Sequence, residues 1–91
     1  MAAKVRPAVV VSRYDLDSPR ALALLVPLTT ENRGSDYEVS LGKPRFLTKE
    51  SWANVQGLMS VGHERLIRPL GTVTSSQLVQ IKSALSFALE L

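Results

Sequence analysis

The chain contains no cysteine. That excludes a disulfide framework, a thiolate nucleophile and any cysteine-based metal site, and it fits a reducing cytoplasm. Histidine is nearly absent too: His63 is the one copy, so a multi-histidine metal cluster is excluded. There is no phosphate-cradling glycine-rich motif, no internal repeat, no low-complexity tract and no linker. No apolar run is long enough to span a bilayer. The longest, Ala21 to Leu28, is short and contains Pro27, so no membrane association is expected. The start, Met1-Ala2-Ala3-Lys4, lacks the apolar segment of a secretory leader.

What is present is enough for one domain, residues 1–91. A chain this short buries a modest core and is often helped by an oligomeric partner. Eleven Lys and Arg against eight Asp and Glu give a net charge of +3. That mild excess is compatible with a polyanionic partner without requiring one.

Hydrophobic patterning predicts a mostly β protein with one C-terminal helix. Arg6 to Arg13, RPAVVVSR, is a β-branched run that reads as a buried strand. Pro7 belongs at its start because it cannot donate to a ladder. Tyr14 to Arg20 is rich in Asp, Ser and Pro and reads as a loop. In Ala21 to Thr29, length and Pro27 favour a strand over a helix. Thr30 to Asp36 is a polar loop in which Gly34 can adopt positive φ. Tyr37 to Leu41 alternates as a half-buried antiparallel strand, and Gly42-Lys43-Pro44 turns the chain. One or two strands are expected in Phe46 to Gln56, with Trp52 and Val55 in the core. Gly57 to Leu66 reads as irregular and Leu70 to Val73 as a last short strand. Thr74-Ser75-Ser76-Gln77 is a capping box. Behind it Leu78, Ile81, Leu85 and Leu89, with Ala84 and Ala88, form a helical stripe that should pack on the sheet or barrel.

Few residues announce chemistry. His63, in a glycine-flanked segment, reads as solvated or structural more readily than as catalytic. Asp15 and Asp17 fit a turn in which an aspartate bonds its own backbone better than a metal site. Arginines outnumber lysines seven to four, and a guanidinium is the better fork for phosphate oxygens. Arg6 stands at the edge of an apolar strand, where its charge must reach solvent or a partner. Thr29 and Thr30 close the second strand with two hydroxyls suited to a turn or to phosphate. These residues alone describe a small β domain able to bind RNA or DNA.

The order of segments adds more. Arg6-Pro7 heads an apolar run ending in Ser12. VPLTT, Val26 to Thr30, follows a loop. Then come an Asn-Arg-Gly segment, an alternating strand, SWANVQG from Ser51 to Gly57, RLIRPLGTV from Arg65 to Val73, and a helix ending Phe87-Ala88-Leu89-Glu90-Leu91. Over nearly its whole length the chain resembles the MazF/PemK family of toxin endoribonucleases from type II toxin–antitoxin systems. No single motif is decisive, but together and in this order they are fairly specific.

The resemblance implies an SH3-like or CcdB-like barrel, or a curled antiparallel sheet, plus the C-terminal helix. It implies a homodimer, a cognate antitoxin and a single-stranded RNA substrate. No metal or other cofactor takes part. The implied reaction is attack of a ribose 2′-hydroxyl on the adjacent phosphate. Arg6 and Thr29 match the family's catalytic arginine and threonine. Guanidinium and hydroxyl donors there favour the extra charge of a phosphorane over that of the substrate. A guanidinium ordinarily stays protonated, so charge stabilisation suits Arg6 better than proton abstraction. Gln56 matches a family glutamine and is a candidate for binding a base or phosphate, with Thr30, Asn54 and Ser60 as further substrate-binding candidates.

Two departures bear on activity. Some members carry an acidic residue, used as a base, immediately before that glutamine; here the position is Val55, and His63 is the obvious substitute. Family members also usually have a Gly-Asp-(Ile/Val)-Trp-like strand ahead of the Arg-Pro pair, and only five residues precede Arg6 here. Without that strand an unpaired edge and a thinner RNA groove are expected. The alternative is a truncated, non-catalytic member that binds antitoxin or nucleic acid, or a gyrase-type growth inhibitor on the same fold.

Overall fold

A computed structural model describes residues 5–13 and 15–91. The reading of Met1 to Lys4 and of Tyr14 lies outside the described residues. The elements run β1 (Ala8–Val10), β2 (Leu22–Thr29), β3 (Glu38–Gly42), β4 (Ser51–Asn54), β5 (Met59–Gly62) and α1 (Ser75–Leu89). Single 3₁₀ turns occupy Val55–Gly57 and His63–Arg65. The result is a curled five-stranded antiparallel sheet with a C-terminal helix. Among the described residues no helix is long and apolar enough to cross a membrane.

Strand β2 organises the sheet. Along one side it pairs with β1, Ala8 opposite Pro27 and Val10 opposite Leu25. Along the other it pairs first with β5, Leu22 to Leu25 against Gly62 to Met59, and then with β4 at Leu28 and Thr29. Strand β3 closes the order by pairing with β4. The change of partner falls at Val26 and Pro27, where the intervening chain makes its first 3₁₀ turn. Leu28 donates its N–H toward β1, to the Pro7 carbonyl at 3.3 Å. Since N–H groups alternate sides along a strand, the imide nitrogen of Pro27 faces the gap between β4 and β5, where no ladder bond is lost. Gly57 closes over this point: a Cβ on it would sit 2.5 Å from Pro27 Cγ.

The core lies between the sheet and α1. Val9, Val26, Val39, Leu41, Ala53, Val55, Ile81 and Ala84 form one cluster, and Ile81, Val26 and Ala53 are fully buried. The expected capping box is present: Thr74 Oγ1 accepts from Gln77 N–H at 3.0 Å, and Gln77 Oε1 accepts from Thr74 N–H at 2.9 Å. Gln77 also donates to the Leu41 carbonyl at 3.3 Å, tying the helix start to β3. Near the other end Phe87 packs on Tyr37 with ring centroids 5.3 Å apart. The loop before β3 is held by Glu38, whose carboxylate accepts from Ser35 Oγ and from the backbone N–H groups of Arg33 and Ser35. Gly34 has φ +66° and Gly42 φ +65°, as their turns require. Asp17 N–H donates to Asp15 Oδ1 at 2.9 Å, the expected aspartate turn.

Several expectations are corrected. Gly57 to Leu66 is not irregular; it contains β5, whose Met-Ser-Val-Gly sequence shows no alternation strong enough to announce a strand. Leu70 to Val73 forms no strand; the Phe46 ring lies against Gly71. The first strand is shorter than RPAVVVSR suggests, and only Val9 of β1 is buried. Trp52 is half-buried and outside the core cluster. The helical stripe is centred on Ile81 and Ala84, while Leu89 is exposed.

Candidate functional site

The two catalytic candidates come from segments that meet only through sheet register. The β1–β2 ladder extends past Ala8, because Leu28 bonds Pro7. One more step of the same register carries Arg6 opposite Thr29. As Pro7 and Leu28 form a hydrogen-bonded pair, Arg6 and Thr29 occupy the non-hydrogen-bonded type, in which side chains stand closest. Thr29 is also the direct partner of Trp52 on β4, and Trp52 of Ser40 on β3. Directly opposed residues share a face, so Thr29, Trp52 and Ser40 form one row across β2, β4 and β3, and Arg6, just ahead of β1, continues it. The row beside it, Leu28, Ala53 and Val39, points into the core. The first row therefore faces away from α1, with Arg6 and Ser40 exposed and Thr29 and Trp52 half-buried.

Local geometry leaves both donors available. Thr29 Oγ1 accepts from Glu31 N–H at 3.1 Å, which fixes the hydroxyl oxygen and leaves its proton free to donate. Among the described residues the one ion pair joins Arg33 and Glu31 at 3.0 Å, so none of them neutralises Arg6. Thr30 follows Thr29 directly and is exposed.

The other candidates are placed differently. Asn54 lies two residues beyond Trp52 on the same strand, and its Oδ1 accepts from Gln56 N–H at 3.1 Å, capping the 3₁₀ turn. Gln56 is exposed and lines a shallow cleft of about 380 Å³ with Tyr37, Leu85 and Leu89. Ser60 stands apart: it is opposite Leu24, on the alternate face of β2 from Thr29 and five residues back. At about 3.3 Å per residue that is roughly 17 Å. Val55 is buried in the core and donates its N–H to the Tyr37 carbonyl at 2.9 Å. His63 cannot replace an acidic group there within one chain. Its N–H bonds the Ala21 carbonyl at the far end of β2, roughly 26 Å from Thr29 by the same strand rise. Among the described residues no three His, Cys, Asp or Glu side chains gather where a metal could be held. The sequence reading missed Ser40 and the outward setting of Trp52. Ser-Trp-Ala-Asn does not alternate in polarity; the alternation of Ser51–Asn54 lies in its burial and is visible only in the fold.

Known structures share this architecture. The Mycobacterium tuberculosis toxin MazF-mt6 is similar with a TM-score of 0.84 and 23% identity, over 94% of this chain and 87% of that one. A second toxin from the same organism is similar with a TM-score of 0.80 and 23% identity, over 91% of each chain. An endoribonuclease from a mycobacterial species is 30% identical, with a TM-score of 0.80 over 94% of this chain and 81% of that one. No curated protein matches the sequence. The model of the PemK-like, MazF-like toxins of type II toxin–antitoxin systems matches residues 2–89. With that match spanning nearly the whole chain, and with the same curled sheet and terminal helix beneath it, the protein belongs to the PemK-like, MazF-like toxin family.

Proposed function

We propose that the protein is a toxin that cleaves single-stranded RNA, mRNA included, through Arg6 and Thr29, without a metal. The observation that carries this reading is the β1–β2 register, bonded as far as Leu28 and Pro7, whose next step sets Arg6 opposite Thr29 on the face turned away from the helix. A phosphodiester lying across the row receives a guanidinium from one strand and a hydroxyl donor from the next. The ribose 2′-oxygen bonds to phosphorus as its proton passes to solvent water, which also supplies the proton the leaving oxygen takes up. The P–O5′ bond breaks and the 5′-oxygen takes up a proton, giving a 2′,3′-cyclic phosphate and a 5′-hydroxyl end. Negative charge on the non-bridging oxygens peaks in the pentavalent state, so fixed donors stabilise that state more than the substrate. Thr30 and Asn54 flank the row as contacts for the neighbouring nucleotides, and Gln56 lies beyond Asn54. A toxin acting on mRNA works in the cytoplasm and is held in check by its antitoxin. The named similarity to a mycobacterial endoribonuclease supports the same reading.

Purified protein mixed with single-stranded RNA in EDTA is expected to yield discrete fragments with cyclic-phosphate ends. Intact RNA would overturn the enzymatic reading. It would favour the non-catalytic one, whose specific support is Val55, an apolar core residue where some members carry a base.

We also propose that the protein is a homodimer. Val10, Leu25 and Met59 make a row across β1, β2 and β5 on the same face as the Arg6–Thr29 row, with Val10 and Met59 exposed. Leu25 is already buried between them, and a second copy would cover Val10 and Met59 and extend the RNA-binding face. Sedimentation or sizing is expected to show twice the chain mass of 10.0 kDa; a stable monomer at micromolar concentration would sink this assembly.

A further inference from the structure

The chain has one tryptophan, and it is not in the core. Ser51 and Ala53 of β4 are buried, whereas Trp52 and Asn54 are half-buried, so the strand turns its largest side chain away from the helix. Trp52 is absent both from the buried cluster and from the partly buried hydrophobics packed against it. Its neighbours across the sheet are Thr29 and the exposed Ser40. An indole is a costly choice for a face that stays wet. It suits a face that receives a flat apolar ligand, since its rings offer large rigid area and its N–H one donor.

Resting on the RNA-cleaving reading above, we propose that Trp52 stacks a base of the bound RNA beside the phosphate held by Arg6 and Thr29. The geometry is that of adjacent strands: Trp52 lies one strand spacing, about 4.8 Å, to the side of Thr29. Single-stranded RNA presents unstacked base faces, and proteins hold them on aromatic rings next to basic groups that hold the backbone. Here the two functions occupy one row, cation and hydroxyl at one end and indole beside them. Stacking fixes the sugar above the phosphate and so helps align the 2′-oxygen with phosphorus. Trp52 is thus a substrate-positioning residue; it neither donates nor accepts the transferred protons.

The single tryptophan makes this measurable in the full chain. The probes are a cleavable mixed-sequence single-stranded RNA, and a fluorescein-labelled 2′-O-methyl version that cannot attack its own phosphate. Trp52→Leu keeps apolar bulk without the aromatic face, and Trp52→Phe keeps a ring. The expected result is a rise in KM and in the labelled-RNA dissociation constant of about 5- to 150-fold for Trp52→Leu. Trp52→Phe recovers most of the loss, and wild-type indole emission is quenched as the labelled RNA saturates. If Trp52→Leu is unfolded by circular dichroism, the wild-type emission titration decides alone. RNA that binds and is cut while emission stays unchanged, or a folded Trp52→Leu with wild-type KM, overturns the proposal and leaves the endoribonuclease reading standing. Wild-type protein that neither binds nor cuts RNA overturns both.

Discussion

Arg6→Ala is expected to slow RNA cleavage about 100- to 1,000-fold while leaving the fold intact, the usual cost of removing one donor aimed at transition-state charge. Arg6 is exposed and outside the core cluster, so its loss leaves no cavity and strands no described partner. In the proposed mechanism the residue does its work only when a phosphorane forms opposite Thr29. Arg6→Lys is expected to recover a part of the rate, since an ammonium supplies charge without the planar fork that grips two oxygens at once. Single-turnover cleavage in EDTA, with thermal unfolding alongside, checks both. Wild-type cutting by a folded Arg6→Ala protein would end the catalytic assignment. On the proposed roles, Arg6 on phosphate and Trp52 on a base, the two losses differ in kind: the first falls chiefly on the chemical step and the second on binding.

Ile81→Ala is expected to cost about 2–5 kcal/mol of folding stability. Ile81 is fully buried and belongs to the cluster that includes Val26, Val39 and Ala53. Truncation removes apolar atoms from contact and leaves a void that a small, close-packed core refills poorly. A domain of this size has only about 5–14 kcal/mol in hand, so the melting temperature should fall by on the order of 10 °C or more. Val79→Ala is the matched control. Val79 lies on the same helix but is 66% exposed, and its change should stay within about 0.5 kcal/mol. Urea titration of both variants makes the comparison. Equal losses would mean that the helix does not dock through the Ile81 face.

How much of this could be read without coordinates follows the range of the interactions involved. The helix start was legible because a capping box is completed within four residues, Thr74 to Gln77. The glycine at 34 and the aspartate turn at 15–17 were legible for the same reason. Strand β3 was recognised by its alternation, and β2 by its length and Pro27. Strand β5 did not: its residues are exposed or half-buried, and it is a strand because β2 offers it a ladder. Leu70 to Val73 has strand-like composition but pairs with no strand, and Gly71 instead makes room for the Phe46 ring.

The site divides along the same line. Sequence alone determined its chemistry: a guanidinium before a proline, two hydroxyls after Val26-Pro27-Leu28, no cysteine and a single histidine, in an order shared with a toxin family. It also determined the local turns and the capped helix, whose bonds close over a few residues. Tertiary structure decided which of these groups meet. Arg6 and Thr29 stand one register step beyond the Leu28–Pro7 bond, Ser60 is sent to the other face, His63 to the far end of β2, and Trp52 outward beside the threonine. The physical reason is the two-residue period of a strand. A slip of one position exchanges its faces, and packing against a distant helix decides which face becomes the core and which is turned away from it.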